Sequence, residues 1–324
     1  MIFDAYGGIL LYFVPLILVF PKTNFFLSKI FNAVIICSFI YVIYIVLFIS
    51  DLLILGTDVE SQAKIEYFSK TLSIPCGFIL FSYPYYKKSH VFWALFVILL
   101  TLFFATIRAR RGLMFMCSSI LVISLIKYFY INKGNLVNRY LPFILLPFIV
   151  ILTINIYNVN KNSAFNLITE RLEEDTRTGI ELFFYADMET EDWIIGRGIN
   201  GIYYCPVGID DNVFSIPDYR GGVETDYLTI ILKGGLISLG LLLLIAFPAI
   251  IKGLFYSKNS LSKAASLWIL LWMIDLYPTT VTTFTLNYLL VWISISLCYS
   301  NELRNLSDDT IKEIFQYKAF KLLE

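Results

Sequence analysis

The sequence predicts an all-α integral membrane protein with about nine transmembrane helices and a large external loop, on three observations. Hydrophobic residues make up 58% of the 324 residues, charged residues make up only 15%, and the mean hydropathy is +0.73, a composition that excludes an ordinary soluble domain. Apolar runs recur with lengths of about 17–25 residues, which cross a hydrocarbon core as helices. These runs lack the alternating pattern of a transmembrane β-barrel.

The predicted spans lie at residues 2–20, 30–50, 70–86, 91–107, 113–131, 140–157, 226–251, 264–279 and 284–300. The third span is the weakest because it is short and contains Pro75 and Pro84, although a membrane helix tolerates proline where its neighbours satisfy the freed backbone groups. The first apolar run has no basic start and no cleavage site of a signal peptide, so it is interpreted as a span. We therefore expect residues 1–324 to form a single polytopic membrane domain.

The connections between these spans fall into two groups by charge. One group has lysine and arginine but no Asp or Glu, and the positive-inside rule makes it cytoplasmic: residues 21–29, 84–90, 127–139 and 252–263. The other group is expected outside: residues 51–69, 158–225 and 280–283. This sorting predicts an external N-terminus, a cytoplasmic C-terminus and a cytoplasmic amphipathic tail at 306–324. A re-entrant third span would break the alternation.

Three arginines form the only basic connection on the predicted outer side: Arg108, Arg110 and Arg111. Charge that is kept against the topological rule usually has a function. Guanidinium groups match the geometry of phosphate oxygens. The cluster therefore predicts a site for a phosphate or a diphosphate at the outer membrane surface.

The loop 158–225 is expected to be ordered at least in part, because it is rich in aromatic and aliphatic residues and because long loops are usually functional. Residues 196–201 match the pattern GxGxxG around Arg197. No strand–turn–helix unit surrounds this pattern, so a dinucleotide site is rejected. The pattern is interpreted as a tight turn that glycine permits, with backbone contacts to a ligand as the alternative.

Two carboxylates, Glu224 and Asp226, precede the seventh span. They either complement the helix dipole, or one of them is a general base whose pKa is raised by burial in a cleft. Lys233 lies about two turns deeper, where its ammonium either reaches back to the surface or lines a polar cavity. Asp275, in the eighth span, lines the same cavity or pairs with a polar neighbour.

Histidine and metal chemistry are disfavoured on the outer side. His90 is the only histidine and lies in a predicted cytoplasmic connection, and the five cysteines are scattered without metal-ligand spacing. We expect no metal and no cofactor. The net charge of zero predicts no attraction to nucleic acid.

The order of these motifs resembles that of the O-antigen polymerase and O-antigen ligase superfamily of bacterial envelope enzymes. Arg111 takes the place of the arginine in the family's Thr-x-Ser-Arg-Gly-type motif, and Arg110 stands where serine is usual. The matching segments lie within about residues 100–250: Thr106…Ala109-Arg110-Arg111-Gly112, Arg177-Thr178-Gly179, Ile195-Gly196-Arg197-Gly198, and Glu224-Thr225-Asp226-Tyr227-Leu228 followed by Gly234-Gly235-Leu236-Ile237.

The resemblance implies a metal-independent glycosyltransferase with a membrane fold related to the GT-C class. Its donor and acceptor would be glycans on undecaprenyl diphosphate at the outer face of the bacterial inner membrane, with loop 158–225 as a cap over the active-site cleft. Arg111 and Arg177 would bind the diphosphate with support from Arg108 and Arg110, and Glu224 or, second, Asp226 would activate the acceptor hydroxyl. Lys233, Arg197 and Asp275 would line the cavity, and a chain-length regulator would be a further partner.

Two other functions stay open at the level of the sequence. Glu224 stands where the ligases of the superfamily have histidine, which favours a repeat-unit polymerase over a ligase-type transferase. A transporter or flippase for the same lipid-linked glycans would also use external arginines. It would favour inverted repeats and discontinuous helices, which the sequence does not indicate.

Overall fold

The computed structural model is mostly helical and describes residues 13–19, 24–53, 65–108, 110–131, 176–207, 218–278 and 285–313. The predicted span at 140–157 and much of the one at 2–20 lie outside these residues, so the number of nine spans stays a prediction. Four described helices are long and apolar enough to cross a membrane: Lys29–Leu47, Lys88–Ile107, Arg111–Phe129 and Asp226–Phe255. The predicted class of helical membrane protein agrees with this architecture.

The helices are α1 (Asn24–Leu47), α2 (Ile49–Leu53), α3 (Cys76–Phe81), α4 (Lys88–Ile107), α5 (Arg111–Ile131), α6 (Thr176–Asp187), α7 (Thr190–Ile195), α8 (Asp226–Phe255), α9 (Ser260–Asp275), α10 (Leu286–Tyr299) and α11 (Asn301–Asn305). Shorter elements are 3-10 turns at Val14–Val19 and Tyr83–Tyr85 and a π-helical turn at Ser69–Ser73. A two-stranded antiparallel ladder joins β1 (Tyr203–Tyr204) to β2 (Tyr219–Arg220), which the all-α prediction missed.

Contacts between the ends of these elements define two opposite faces of the helix bundle. We call one the arginine face, where Arg110 pairs with Glu66 and the Asp226 amide donates to the Leu276 carbonyl. The other is the lysine face, where Lys127 donates to the carbonyls of Phe81 and Ser260. The described connections collect at these faces in the two groups that the charge pattern predicts.

The weak third span is a broken helix that runs from one face to the other beside α5. Glu66 lies at the arginine face, whereas Phe81 contacts Lys127 at the lysine face. Between them the chain changes from π-helix to α3 across the turn at Pro75. Every residue from 73 to 82 is buried, which is the condition under which irregular backbone is tolerated at membrane depth. The segment is therefore an irregular helix, interrupted by a π-turn and by the turn at Pro75, although Ile74 and Pro75 keep helical dihedral angles.

The helix α8 also breaks, at Gly235, where φ is 66° and ψ is −174°. Only glycine populates this region readily. Its backbone contacts the end of α7, because the Arg197 amide donates to the Leu232 carbonyl at 2.7 Å and a Cβ on Gly196 would lie 2.5 Å from the Gly234 nitrogen. Gly196 and Gly198 have φ values of 74° and 81°, which confirms the interpretation of this motif as a glycine-permitted turn.

Two hydrophobic cores flank this break. The larger one fills the bundle around α9 and α10. The smaller one orders the loop between α6 and α8 and is formed by Ile180, Phe184, Met188, Tyr203, Cys205, Val223, Leu228, Ile231 and Leu232. The expectation that the aromatic-rich loop is ordered in part is therefore confirmed for residues 176–207 and 218–225.

Past Gly235, one side of α8 is a stripe of exposed, large apolar side chains. Their spacing follows the helical repeat, and an apolar stripe on a span of this hydropathy faces lipid. We call this surface the α8 lipid stripe: Leu236, Ile237, Leu241, Leu244, Phe247, Ile251 and Phe255.

The start of the C-terminal tail packs on the lysine face. Asp308 accepts hydrogen bonds from the Ser260 amide at 2.7 Å and from the Tyr85 hydroxyl. Ile311 is buried in the larger core rather than turned toward lipid. The remaining apolar residues of the predicted amphipathic tail, Ile314, Phe315 and Phe320, lie outside the described residues.

The glycine at the break of α8 is predicted to be essential for stability. Gly235→Ala should lower the free energy of unfolding by at least about 1–3 kcal/mol, the cost of a strained backbone region, because its Cβ would also overlap the Ile194 carbonyl. Thermal unfolding in detergent micelles measures this. Gly240→Ala is the matched control, since a Cβ there meets nothing within 4 Å and alanine favours helix by about 1 kcal/mol. Equal effects at both positions would contradict the prediction.

Candidate functional site

A buried ion cluster lies at the arginine face. Glu66 binds two cations, with its Oε1 2.9 Å from the Lys70 ammonium and its Oε2 3.5 Å from the Arg110 guanidinium. Lys70 also interacts electrostatically with Asp275 and Asp226. A carboxylate or ammonium removed from water is costly unless an opposite charge lies nearby. The cluster therefore joins the broken third span to the ends of α5, α8 and α9.

The two aspartates of this cluster are almost fully enclosed. Asp226 is 2% exposed and Asp275 is 4% exposed. Asp226 is the first residue of α8, where the free amides of a helix start favour negative charge. The sequence allowed two roles for Asp226, a carboxylate that complements the helix dipole or a general base. Its position at the start of α8 fits the first role, and its burial separates it from bulk solvent.

A second pair, Arg177 with Glu224, lies at the rim of the same face and is open to solvent. The Arg177 Nε donates to the Glu224 carboxylate at 3.3 Å, and its Nη2 donates to the Pro278 carbonyl at 2.7 Å. The side chains keep 29% and 39% of their surface exposed. Next to them, the Thr225 hydroxyl donates to Glu181 at 2.5 Å. The structure thus brings together Arg177, which is predicted to bind the diphosphate, and Glu224, which is the predicted base.

The two clusters are adjacent, because Glu224 and Asp226 flank Thr225, the N-terminal cap residue of α8. The solvent-exposed charges of Arg177 and Glu224 therefore lie next to the buried charge of Asp226 in the chain. An anion that approaches this rim meets Arg177 first, and the buried cations beneath it contribute at longer range.

The arginines of the 108–111 turn occupy different environments. Arg108 ends α4 and is buried, Arg110 is half-buried against Glu66, and Arg111 begins α5 and is exposed. Of the three arginines, only Arg111 is therefore exposed at the surface, and the role of the cluster in binding a diphosphate stays a prediction.

Lys233 and Arg197 tie the loop core together. The Lys233 ammonium donates to the Gly201 carbonyl at 2.8 Å and is buried. Arg197 binds Asp192 at 2.8 Å and also binds Asp187 and the Ile202 carbonyl. The hydrogen bond from Arg197 lowers the pKa of the Asp192 carboxyl below its ordinary value. Both cations, for which the sequence offered a place at a cavity as one possibility, make contacts that hold the loop on α8.

Glu66 and Lys70 were not predicted from the sequence as members of the site. Their spacing of four residues is the usual spacing of a helical ion pair, and it occurs beside the weakest span. That signal alone does not distinguish a surface pair from a buried one. The partners Asp226 and Asp275 come from distant parts of the chain.

Comparison of the chain with protein-family models, with curated proteins and with solved structures found no match. In the part of the chain that the structure describes, no group of three His, Cys, Asp or Glu side chains is arranged to hold a metal ion. The candidate site is therefore defined by its own geometry, with an accessible arginine–carboxylate pair above a buried ion cluster.

Removal of the Lys70 ammonium is predicted to be strongly destabilising. Lys70→Met keeps the apolar stem but leaves the carboxylates of Glu66, Asp226 and Asp275 with less positive charge nearby, which should cost about 3–5 kcal/mol of unfolding free energy. Lys263→Met is the control, because that lysine is exposed at the lysine face and surface changes stay within about 0.5 kcal/mol. Chemical unfolding in mixed micelles measures both.

The same experiment with a second change tests the pairing itself. Glu66→Gln added to Lys70→Met should recover part of the lost stability, because one uncompensated carboxylate is then removed. Additive losses in the double variant would mean that Glu66 and Lys70 are not coupled.

The Asp192–Arg197 pair is predicted to make stability depend on pH in acid. The folded pKa of Asp192 is depressed, so its ionised form stabilises the fold above the unfolded pKa, and this contribution is lost as pH falls through the folded pKa. Asp192→Asn should therefore show a shallower loss of unfolding temperature on acidification than the wild type. Arg197→Gln, which removes the partner, should show the same shallower loss. Parallel curves for all three proteins would refute the assignment.

Proposed function

We propose that this protein is a metal-independent glycosyltransferase of the bacterial inner membrane that polymerises oligosaccharide repeat units linked to undecaprenyl diphosphate. The arginine face would be the periplasmic one, and the fold would be related to the GT-C class. The observation that carries the proposal is the solvent-open Arg177–Glu224 pair at 3.3 Å. A cation for a leaving diphosphate and a base for an acceptor hydroxyl are the two groups that this transfer needs.

In the proposed reaction, the acceptor hydroxyl attacks the anomeric carbon of the donor glycan. The new glycosidic bond forms as the bond to the diphosphate oxygen breaks, and the electron pair leaves with the lipid diphosphate. Negative charge grows on that leaving group, so a fixed cation nearby lowers the barrier. Arg177 and the exposed Arg111 are assigned to this role.

The acceptor's proton goes to Glu224. In the unliganded protein Arg177 binds the Glu224 carboxylate. When the diphosphate takes over the guanidinium, the carboxylate is released beside the reacting hydroxyl and accepts its proton. Asp226 is buried beneath it and contributes charge rather than contact with the acceptor.

A flippase for the same lipid-linked glycan is the second candidate, and one observation favours it. The segment 65–85 is an irregular helix with a π-turn and a proline turn, and it carries the Glu66–Lys70 pair. Broken helices with charged residues at membrane depth are typical of transporter binding sites. The solvent-open position of Arg177 and Glu224 at the rim supports the transferase more directly.

Replacement of the rim residues is predicted to stop chain growth. Arg177→Ala, Arg111→Ala and Glu224→Gln should each leave single-repeat glycan on the cell surface, and loss of one charged contact to the diphosphate should cost about 2–5 kcal/mol. Gel analysis of surface glycan length measures this. Glu191→Gln is the matched control, because Glu191 is an exposed carboxylate of the same loop and should keep the long-chain pattern.

The other outcomes separate the candidates. Trapped lipid-linked units inside the cell, with no surface glycan, would identify a flippase. Long-chain ladders in all three rim variants would remove Arg111, Arg177 and Glu224 from the site and with them the basis of the proposal.

A further inference from the structure

Two large apolar side chains at the end of α7 are exposed although they lie outside the long spans. Ile194 is 50% exposed and Ile195 is 62% exposed. The helix ends at Ile195 because Gly196 follows with a positive φ of 74°. The two side chains are outside the small loop core, which is formed by residues of α6, β1 and the start of α8. An exposed apolar surface of this kind marks an interaction site when it is continuous with a larger one.

Such a larger surface begins directly beside them. The backbone of residues 194–197 packs on residues 232–235, since the Arg197 amide donates to the Leu232 carbonyl at 2.7 Å and a Cβ on Gly235 would lie 2.5 Å from the Ile195 nitrogen. The α8 lipid stripe starts at the next two residues, Leu236 and Ile237, which are 50% and 52% exposed. The isoleucines therefore extend the lipid-facing surface sideways from the point where α8 breaks.

The charges around α7 fit this arrangement. Glu191 is exposed one helical turn before Ile195 on the same side of α7, so polarity falls from the start of the helix to its end. Arg197, the nearest following cation, is turned inward onto Asp187 and Asp192. The end of α7 can therefore enter an apolar phase without removing the Arg197 charge from water, because that charge is already paired with the two aspartates.

We propose that the end of α7 is a membrane-surface anchor that inserts Ile194 and Ile195 into the lipid leaflet at the arginine face. Interfacial helices bury their apolar side to a depth of about 5–10 Å at the boundary of headgroups and acyl chains. The bilayer is the occupant because the exposed isoleucines are continuous with the stripe that lipid covers on α8. The anchor holds the loop core, and with it the Arg177–Glu224 pair, at the membrane surface. It does not depend on the proposed activity.

Depth-dependent fluorescence quenching tests the anchor. Ile195→Cys, Glu191→Cys and Leu244→Cys are made in the full chain with Cys37→Ala, because Cys37 is the native cysteine that is not buried among the described residues. Each is labelled with an environment-sensitive fluorophore and placed in phosphatidylcholine vesicles with a nitroxide on the acyl chain. The label at 195 should be quenched at least about twofold more strongly than the label at 191, and the label at 244 should be quenched strongly as a membrane-embedded reference.

Aqueous iodide provides the opposite measurement. It should quench the label at 191 and leave the label at 195 largely unaffected. Equal iodide quenching at 191 and 195, without nitroxide quenching at 195, would place α7 in water and overturn the proposal. A label at 195 that neither quencher reaches would mean that protein covers the site, which also overturns it. Unfolding temperatures equal to that of the parent show that the variants are folded.

Discussion

The need to compensate charge that is buried in the protein is the constraint on which the arginine face depends. Lys70 is 3% exposed and lies among the carboxylates of Glu66, Asp226 and Asp275. An isolated ion in that position would cost several kcal/mol, so the four groups have to stay together. Because they come from the broken third span and from the ends of α8 and α9, their pairing fixes how these elements meet. The rim of the site inherits its position from this buried arrangement.

The loop core depends on a different kind of contact, namely the close approach of two backbones. The turn at Gly196 lies against Gly234 and Gly235, where any side chain would separate the two segments. Arg197 and Lys233 then add hydrogen bonds on either side of this contact. Since the apolar stretch of α8 continues immediately after Gly235, the same contact fixes the loop core beside the start of that stretch.

Much of the architecture follows from local patterns in the sequence. The apolar runs predict α4, α5, α8, α9 and α10 to within a few residues, because burial in lipid or protein requires the same length of apolar helix wherever it occurs. The sign of charge in the connections predicts which of them share a face. The turn at Gly196 could also be predicted from the sequence, since glycine pairs in a loop indicate turns.

The buried ion cluster could not be predicted from the sequence in the same way. Glu66 and Lys70 precede a span that looks too short and too rich in proline to cross. The protein that surrounds residues 73–82 buries this segment, and such packing has no signature within the segment itself. The break of α8 is similar, because a glycine pair inside an apolar helix predicts close packing but not its partner. The sequence left open whether the Lys233 ammonium reaches back to the surface or lines a cavity. In the structure it donates to the carbonyl of Gly201, a residue of the loop.

The pairing of Arg177 with Glu224 also has a consequence for recognition. A guanidinium that is already bound to a carboxylate offers less to a weak or singly charged ligand, because binding requires that the existing ion pair be broken. A diphosphate carries more negative charge on more oxygens than a carboxylate and accepts paired hydrogen bonds from arginine, so it competes where a simple hydroxyl or amide does not. The second contact of Arg177, to the Pro278 carbonyl at 2.7 Å, does not involve Glu224 and would hold the guanidinium at the rim during such an exchange. In the proposed transferase, this ion pair would therefore favour ligands with concentrated negative charge over neutral ones.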